Sequence, residues 1–311
     1  MTSTAATAPG SGPQAPLLPV SPGDSPPAST TPPGGDLPPL VLVDGHNLLW
    51  RAAYGYPPSQ DRGGVDRTGA IGFFAMLRGT LQWLRQPSEC LVCFDGEHGP
   101  AWRQAIDPAY KQRRDNDERP LGGLADVRRG LDAVDVGVLQ LDDQEADDLI
   151  ASVVALAPHR PTTILSADRD FLQLVTSTVR VVNTALPISQ RMIGPHAVQD
   201  RFGVTPGQWC DFRALTGDAA DGLPGVPGVG ARRAAQLLEG GLTLEDLEGA
   251  GRLTGRIGDA VKAHWAAVVR WRELSRLRNT VPLPREPCGT ATPTLPQPLA
   301  ILDLADGKRR T

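Results

Sequence analysis

Five short apolar runs recur at wide intervals along this sequence: LVLVD (40–44), CLVCFD (90–95), VDVGVLQL (134–141), TTILSAD (162–168) and TVRVVN (178–183). Their length and β-branched content predict buried strands. Between them stand stretches with helical spacing, such as TGAIGFFAMLRGTLQWLRQ and QEADDLIASVVALA. That alternation fits an α/β fold, a parallel sheet covered by helices on both faces. After about residue 186 the runs cease, and the text predicts helices joined by Gly- and Pro-rich turns over 186–285. Residues 1–39 are crowded with Pro, Ser, Thr, Gly and Ala and read as a disordered leader. The Pro-rich, then charged, residues 286–311 read as a flexible end.

Three of the runs close on aspartate: Asp44, Asp95, and Asp168 with Asp170 two further on. Ligands of an open parallel sheet bind at the carboxyl ends of its strands. One such Asp is commonplace as a helix cap or turn former. Here three strand ends converge with a fourth acidic element, QEADD, which carries Glu145, Asp147 and Asp148 at the start of a helix. Glu145 and Asp148 are three apart and share a helix face. An acidic surface patch is one reading of the stretch. Converging carboxylates are costly without counter-charge, however, and divalent cations remove that cost. No His/Cys cluster of the kind zinc prefers accompanies them, and hard oxygen ligands select Mg²⁺ or Mn²⁺. Two such ions can clamp both oxygens of a phosphodiester displacement.

A second acidic pair, Asp218 and Asp221, follows Arg213 in RALTGDAADGLPGVPGVGARRAAQLL. As a dinucleotide fingerprint this fails, because Arg233 stands at the third glycine position and no strand precedes it. As a helix–hairpin–helix it succeeds: Gly225, Gly228 and Gly230 let backbone N–H groups approach a phosphate, and Arg232 and Arg233 add charge. Such contacts grip a nucleic-acid backbone without reading sequence. The segment 97–126 is strongly charged and has few apolar positions, which leaves a solvated loop or a functional lid open. Cys90 and Cys93 form a CxxC, but in a strand they point to opposite faces, and core cysteines of a reduced protein are the better reading. No run reaches the ~18 apolar residues of a membrane helix.

These motifs, VDGHNLLWR, FDG, AYKQRR, EADD, SADRDFLQL and RALTGDAADGLPGVPGVG in that order, resemble the 5′-nuclease (flap endonuclease) superfamily over residues 40–285. The likeness is to the 5′→3′ exonuclease domain of bacterial DNA polymerase I, here without a polymerase following. It implies a PIN-like parallel sheet flanked by helices over 40–185, with a helical arch at about 97–126 and a helix–hairpin–helix (H3TH) subdomain over 186–285. It further implies that Asp44, Asp95, Glu145, Asp147 and Asp148 surround a first metal, and Asp168, Asp170, Asp218 and Asp221 a second, with Asp147 between them. Arg103, Tyr110, Lys111 and Arg114 fall on substrate-contacting positions of the arch, with Lys111 steadying the scissile phosphate and Tyr110 stacking on a base. Lys111 is one of three lysines in a chain whose other basic residues are arginines, which supports that placement independently. Arg51 and Arg213 match basic positions near the two metals.

The activity so implied is structure-specific 5′→3′ exonuclease and flap endonuclease hydrolysis by a two-metal mechanism in replication and repair. The cofactors would be two Mg²⁺, with Mn²⁺ as an alternative, and K⁺ at the hairpin. The partners would be DNA with a 5′ flap or 5′ end, RNA–DNA hybrids and a DNA polymerase. A cytoplasmic, nucleoid-associated monomer completes the expectation. One departure from the family's pattern is Gly222 where an Asn is usual, which predicts a looser loop. Two rival readings remain at this stage: a non-catalytic DNA-junction binder and a related PIN-like ribonuclease.

Overall fold

The strand β1 (Leu40–Asp44) is buried along its whole length, as a strand covered on both faces must be. Leu40 and Leu42 face one hydrophobic cluster and Val41 and Val43 the other, so the period of two divides the core into two layers. The computed structural model describes residues 37–61, 63–86, 88–112, 120–284, 290–291 and 295–308. The expected leader up to residue 36 and Arg114 lie outside the described residues.

From β1 the chain enters α1 (Gly45–Gly55) and α2 (Thr68–Leu84), then β2 (Glu89–Cys93) and the short α3 (Ala101–Ile106). Next come α4 (Leu124–Ala133), β3 (Gly137–Leu139), α5 (Ala146–Leu156), β4 (Thr162–Leu165), β5 (Val179–Val182) and β6 (Met192–Ile193). The helical part is α6 (Pro195–Phe202), α7 (Trp209–Thr216), α8 (Ala231–Leu237), α9 (Asp246–Gly249), α10 (Gly255–Ala263) and α11 (Trp265–Ser275). Two further elements close the described chain: β7 (Thr290–Ala291) and α12 (Pro298–Lys308).

The sheet order is β3-β2-β1-β4-β5-β6, with β7 also pairing β2. Strands β1 to β5 pair in parallel, whereas β6 and β7 join antiparallel at β5 and β2. The first three strands step outward on one side of β1 and the next two on the other. The gap between the ends of β1 and β4 is therefore the topological switch point, where an open sheet binds ligands.

Two expectations change. Strands do not stop at 186, because β6 and β7 each add a two-residue antiparallel edge. Part of the expected flexible end is a helix: Leu295, Ile301 and Leu302 are buried in the cluster formed with α2 and α4, and Ala305 is buried as well. Arg67 binds Asp306 at 3.0 Å, and Arg78 donates to the Leu295 carbonyl at 2.9 Å. Three buried residues of PLAILDLAD, Ile301, Leu302 and Ala305, were enough, because α2 and α4 present an apolar surface to them. The other cluster runs without a break from α5 through Trp209, Phe212, Val226 and Trp271, so the helical part shares a core with the sheet.

Candidate active site

Asp44 ends β1 and caps α1, accepting the Asn47 backbone N–H at 3.1 Å. Asn47 in turn accepts the Ala167 N–H at 2.9 Å, which fastens the loop after β4 to the start of α1. In that loop Ser166 donates to Asp44 at 2.8 Å and accepts the Asp168 N–H at 2.9 Å, so Asp168 is held beside Asp44. Asp95, just past β2, accepts the Ala146 N–H at 2.8 Å and so caps α5 from across the crevice, with His46 alongside at 3.3 Å. A carboxylate is favoured at that helix end. Asp147, in the first turn of α5, completes the group.

The carboxylates in this group feel one another. Burial, and after it the Asp95 carboxylate, pushes Asp44 up to about 7. Burial and then Asp168 hold Asp147 well above the usual carboxylate range. Asp170 is likewise pushed up to about 7, by burial first and Asp168 next, with Asp221 adding to it. Asp168 therefore presses on Asp44, Asp147 and Asp170 alike. It is the acid common to both groups, the place the sequence reading gave to Asp147.

The second group forms where α7 meets the turn after it. Arg213, itself buried, donates to Asp170 at 3.1 Å and pairs with Asp218. Asp221 is buried nearby, and its backbone carbonyl accepts the Lys111 N–H at 3.2 Å. Gly222 does not loosen this loop. Its φ is +75°, and an added Cβ would lie 2.8 Å from the Ala109 carbonyl oxygen, so the turn and the residues before Lys111 are in close contact. The Lys111 backbone is itself in the left-handed region, at φ +54°. Its ammonium pairs with Glu145 and lowers the pKa values of Asp147 and Asp170, which puts the lysine between the two acid groups.

Glu145 and Asp148 are brought together on one shared arginine, each with a further partner of its own. Arg103 pairs with both, and Arg278 takes Asp148 from the other side. Each Asp148 oxygen accepts two hydrogen bonds, at 2.7 and 2.9 Å on Oδ1 and 3.0 and 2.9 Å on Oδ2. A carboxylate has about four acceptor sites, so Asp148 has none left for a cation. Helix geometry separates the three acids, because Asp147 lies about 100° round the axis from Asp148. Arg103 is 2% exposed and Tyr110 4%. Arg103 pairs with the acids and the Tyr110 ring is packed in the core. Arg51 donates to Thr184 at 3.2 Å. Arg278 and Gln144, which accepts from it at 2.5 Å, were missed from sequence. Gln144 abuts the acidic motif, whereas Arg278 lies far from every motif among many arginines.

In the hairpin, Gly225 has φ +69°, and a Cβ there would lie 2.5 Å from the Gly217 nitrogen, so this glycine serves backbone packing. Gly228, at φ +81°, meets only side-chain ends, and Gly230 opens onto α8 with nothing near. Arg232 and Arg233 are exposed on that helix and line a surface concavity with Gly230 and Gln236. Asp142 and Asp143 are exposed, as expected of solvated acids.

Residues 39–203 match the 5′–3′ exonuclease N-terminal resolvase-like domain, and residues 204–294 the 5′–3′ exonuclease C-terminal SAM fold. The chain belongs to the 5′–3′ exonuclease family. Within that family's range it is 37% identical over 257 residues to DNA polymerase I of Mycobacterium tuberculosis, covering 80% of this chain and 28% of the relative. It is 30% identical over 248 residues to the thermostable DNA polymerase I of Thermus aquaticus, covering 78% and 29%. The chain thus spans less than a third of these relatives' length. The exonuclease fold is also that of the bacteriophage T5 D15 protein co-crystallised with metal ions (TM-score 0.63, 22% identity, 77% of this chain and 89% of that one). The catalytic core of Rad2 in complex with DNA substrate is similar at TM-score 0.54 and 14% identity, covering 88% of this chain and 87% of that one.

Among the described residues, no three His, Cys, Asp or Glu side chains form a group that could hold a metal ion by themselves. An ion that keeps much of its water needs only one or two direct carboxylates. The all-oxygen donor set and the mutually repelling buried acids fit such an ion. No helix among the described residues is long and apolar enough to cross a membrane.

Proposed function

We propose that this chain hydrolyses phosphodiesters at DNA 5′ ends and 5′ flaps, using two Mg²⁺ ions. The observation that carries the proposal is the grouping of Asp44, Asp95, Asp147 and Asp168 at the β1/β4 switch point, with Lys111 beside it. Asp44, Asp95 and Asp147 would hold the first ion, and Asp170, Asp218 and Asp221 the second, with Asp168 serving both. Bound there, the ions would supply an activated water and stabilise the departing oxygen. Lys111 offsets charge developing on the scissile phosphate. Arg213 keeps Asp170 and Asp218 in place. Glu145 fixes the Lys111 ammonium.

The exposed Arg232 and Arg233, with the backbone at Gly228 and Gly230, grip the phosphates of the duplex behind the 5′ end. Arg114 and Arg51 are basic groups for the strand entering the arch. Mn²⁺ replaces Mg²⁺, K⁺ sits at the hairpin, RNA–DNA hybrids are substrates, and the monomer works beside a DNA polymerase in the cell interior. These extensions rest on the family likeness alone.

The test is a 5′-labelled flap incubated with Mg²⁺ or with EDTA, alongside the same flap in RNA. Product of defined length with Mg²⁺ only, and faster on DNA, supports the proposal. Tight binding without cleavage under any divalent ion returns the junction-binder reading, and preference for the RNA flap returns the ribonuclease one.

A further inference from the structure

Arg278 lies outside every motif, yet it holds the acid helix through both its backbone and its side chain. Its backbone N–H donates to Asp148 Oδ1 at 2.9 Å, its Nε to Oδ2 at 2.9 Å, and its Nη2 to Gln144 at 2.5 Å. Its guanidinium carbon lies 4.6 Å from the centre of the Trp102 ring on α3. Arg103 closes the other side: besides Asp148 and Glu145, it donates to the carbonyls of Leu274 at 3.0 Å and Arg276 at 3.1 Å. Two arginines thus fasten α5 to α3 at the base of the arch and to residues 274–278 at the end of α11.

That end is not an isolated strap. α11 packs along α7, the helix whose Arg213 holds Asp170 and Asp218. One rigid pair of helices therefore reaches both acid groups, the second directly and the first through Asp148. Asp147 is the next residue to Asp148 on the first turn of α5, so a turn of that helix moves its carboxylate across the crevice. Hydrogen bonds to an ionised carboxylate are the stronger kind, so four of them make Asp148 a firm pin.

We propose that Arg278 is a positioning residue for the nuclease reaction: by pinning Asp148 it fixes the rotation of α5 and hence where Asp147 points. The inference rests on the nuclease reading above. It assigns Asp148 to anchoring rather than to metal ligation, and it makes the helical part of the chain a determinant of metal affinity. Arg278 touches neither metal nor scissile phosphate in this scheme.

The experiment is a Mn²⁺ titration by calorimetry on the full chain without DNA, for wild type, Arg278→Met, Asp148→Asn and the double variant. Methionine keeps the unbranched stem over Trp102 and removes the charged fork. Losing a partner that orients a metal ligand typically weakens binding about 10- to 100-fold, and a fall of that order is expected for Arg278→Met. In the Asp148→Asn background the same change is expected to have little further effect, because residues acting through one contact are not additive. Arg278→Lys, which keeps charge but not the fork, is expected to recover only part of the affinity. Flap cleavage by Arg278→Met is expected to fall in kcat by a similar factor, with DNA affinity in Ca²⁺ within about twofold.

Unchanged Mn²⁺ affinity, or a full-sized loss that persists in the Asp148→Asn background, overturns the proposal. A parallel loss of DNA affinity makes Arg278 a DNA contact instead and overturns it as well. If the wild type binds Mn²⁺ but cleaves no flap, the nuclease reading fails while the titration still judges the clamp.

Discussion

Burial of the acids, and their repulsion after it, makes a prediction about stability that needs no substrate. Asp44 and Asp170 are each pushed from 3.8 to about 7. A carboxyl with a raised folded pKa adds stability that is complete below its unfolded pKa, and this is lost as pH rises through the folded one. One group raised by about three units carries ~4 kcal/mol across the whole range, of which ~2 kcal/mol falls between pH 5.5 and 7. The two acids share Asp168 as a neighbour, so their protons leave in steps that belong to the cluster, and a combined loss of about 2–4 kcal/mol over that interval is the working figure. For a chain of this size each kcal/mol shifts the melting temperature by roughly 2–4 °C. Melting followed by circular dichroism in EDTA should therefore fall by about 5–15 °C from pH 5.5 to pH 8. Saturating Mg²⁺ should restore most of the loss at pH 8 and change little at pH 5.5, where the acids are protonated. The Asp44→Asn, Asp170→Asn double variant should lose most of that slope, with Asp147 supplying what remains. A melting temperature that stays flat with pH in EDTA, or the same slope in the double variant, refutes the reasoning.

Three other perturbations follow from the contacts. Arg103→Met leaves Glu145 and Asp148 without a partner they share at 2% and 0% exposure. It should cost about 3–5 kcal/mol in urea unfolding, the usual result of breaking a buried pair from one side. Gly222→Ala forces a side chain into φ +75° against the Ala109 carbonyl. A loss of about 1–3 kcal/mol is expected, with a drop in flap cleavage larger than any change in DNA affinity because Lys111 is displaced. Ending the chain after residue 294 removes the buried Leu295, Ile301 and Leu302, each worth about 1.5–3 kcal/mol. Thermal melting should register that loss, while DNA binding through the hairpin persists.

The parallel sheet was legible because buried strands read as continuous apolar runs, and the acids at their ends were legible because strand ends are where such sheets bind ligands. What those acids touch was not. Asp147 and Asp148 are adjacent letters, yet one faces the crevice and the other is locked by Arg103 and Arg278, a distinction made by the 100° step of the helix and by residues 45 and 130 positions away. Arg103 was expected at a substrate contact from the family resemblance, and nothing in the sequence marks an arginine as buried. Helix α12 was missed because its Pro-rich flanks outweighed a few apolar letters, and the surface of α2 and α4 that recruits them cannot be seen locally. Gly222 looked like a weakness, but the reason for a glycine lay in Ala109, a segment distant in sequence.

If the acids meeting at Asp168 hold the cations of a nuclease, Asp147 is the carboxylate on which cleavage depends. The single-turnover rate of Asp147→Asn on a 5′ flap in Mg²⁺, with DNA affinity measured in parallel, tests this. A fall of about 10²–10³ or more at unchanged affinity is expected, since the substitution removes charge that acts on the reacting centre. A variant that cleaves within a few-fold of wild type contradicts it.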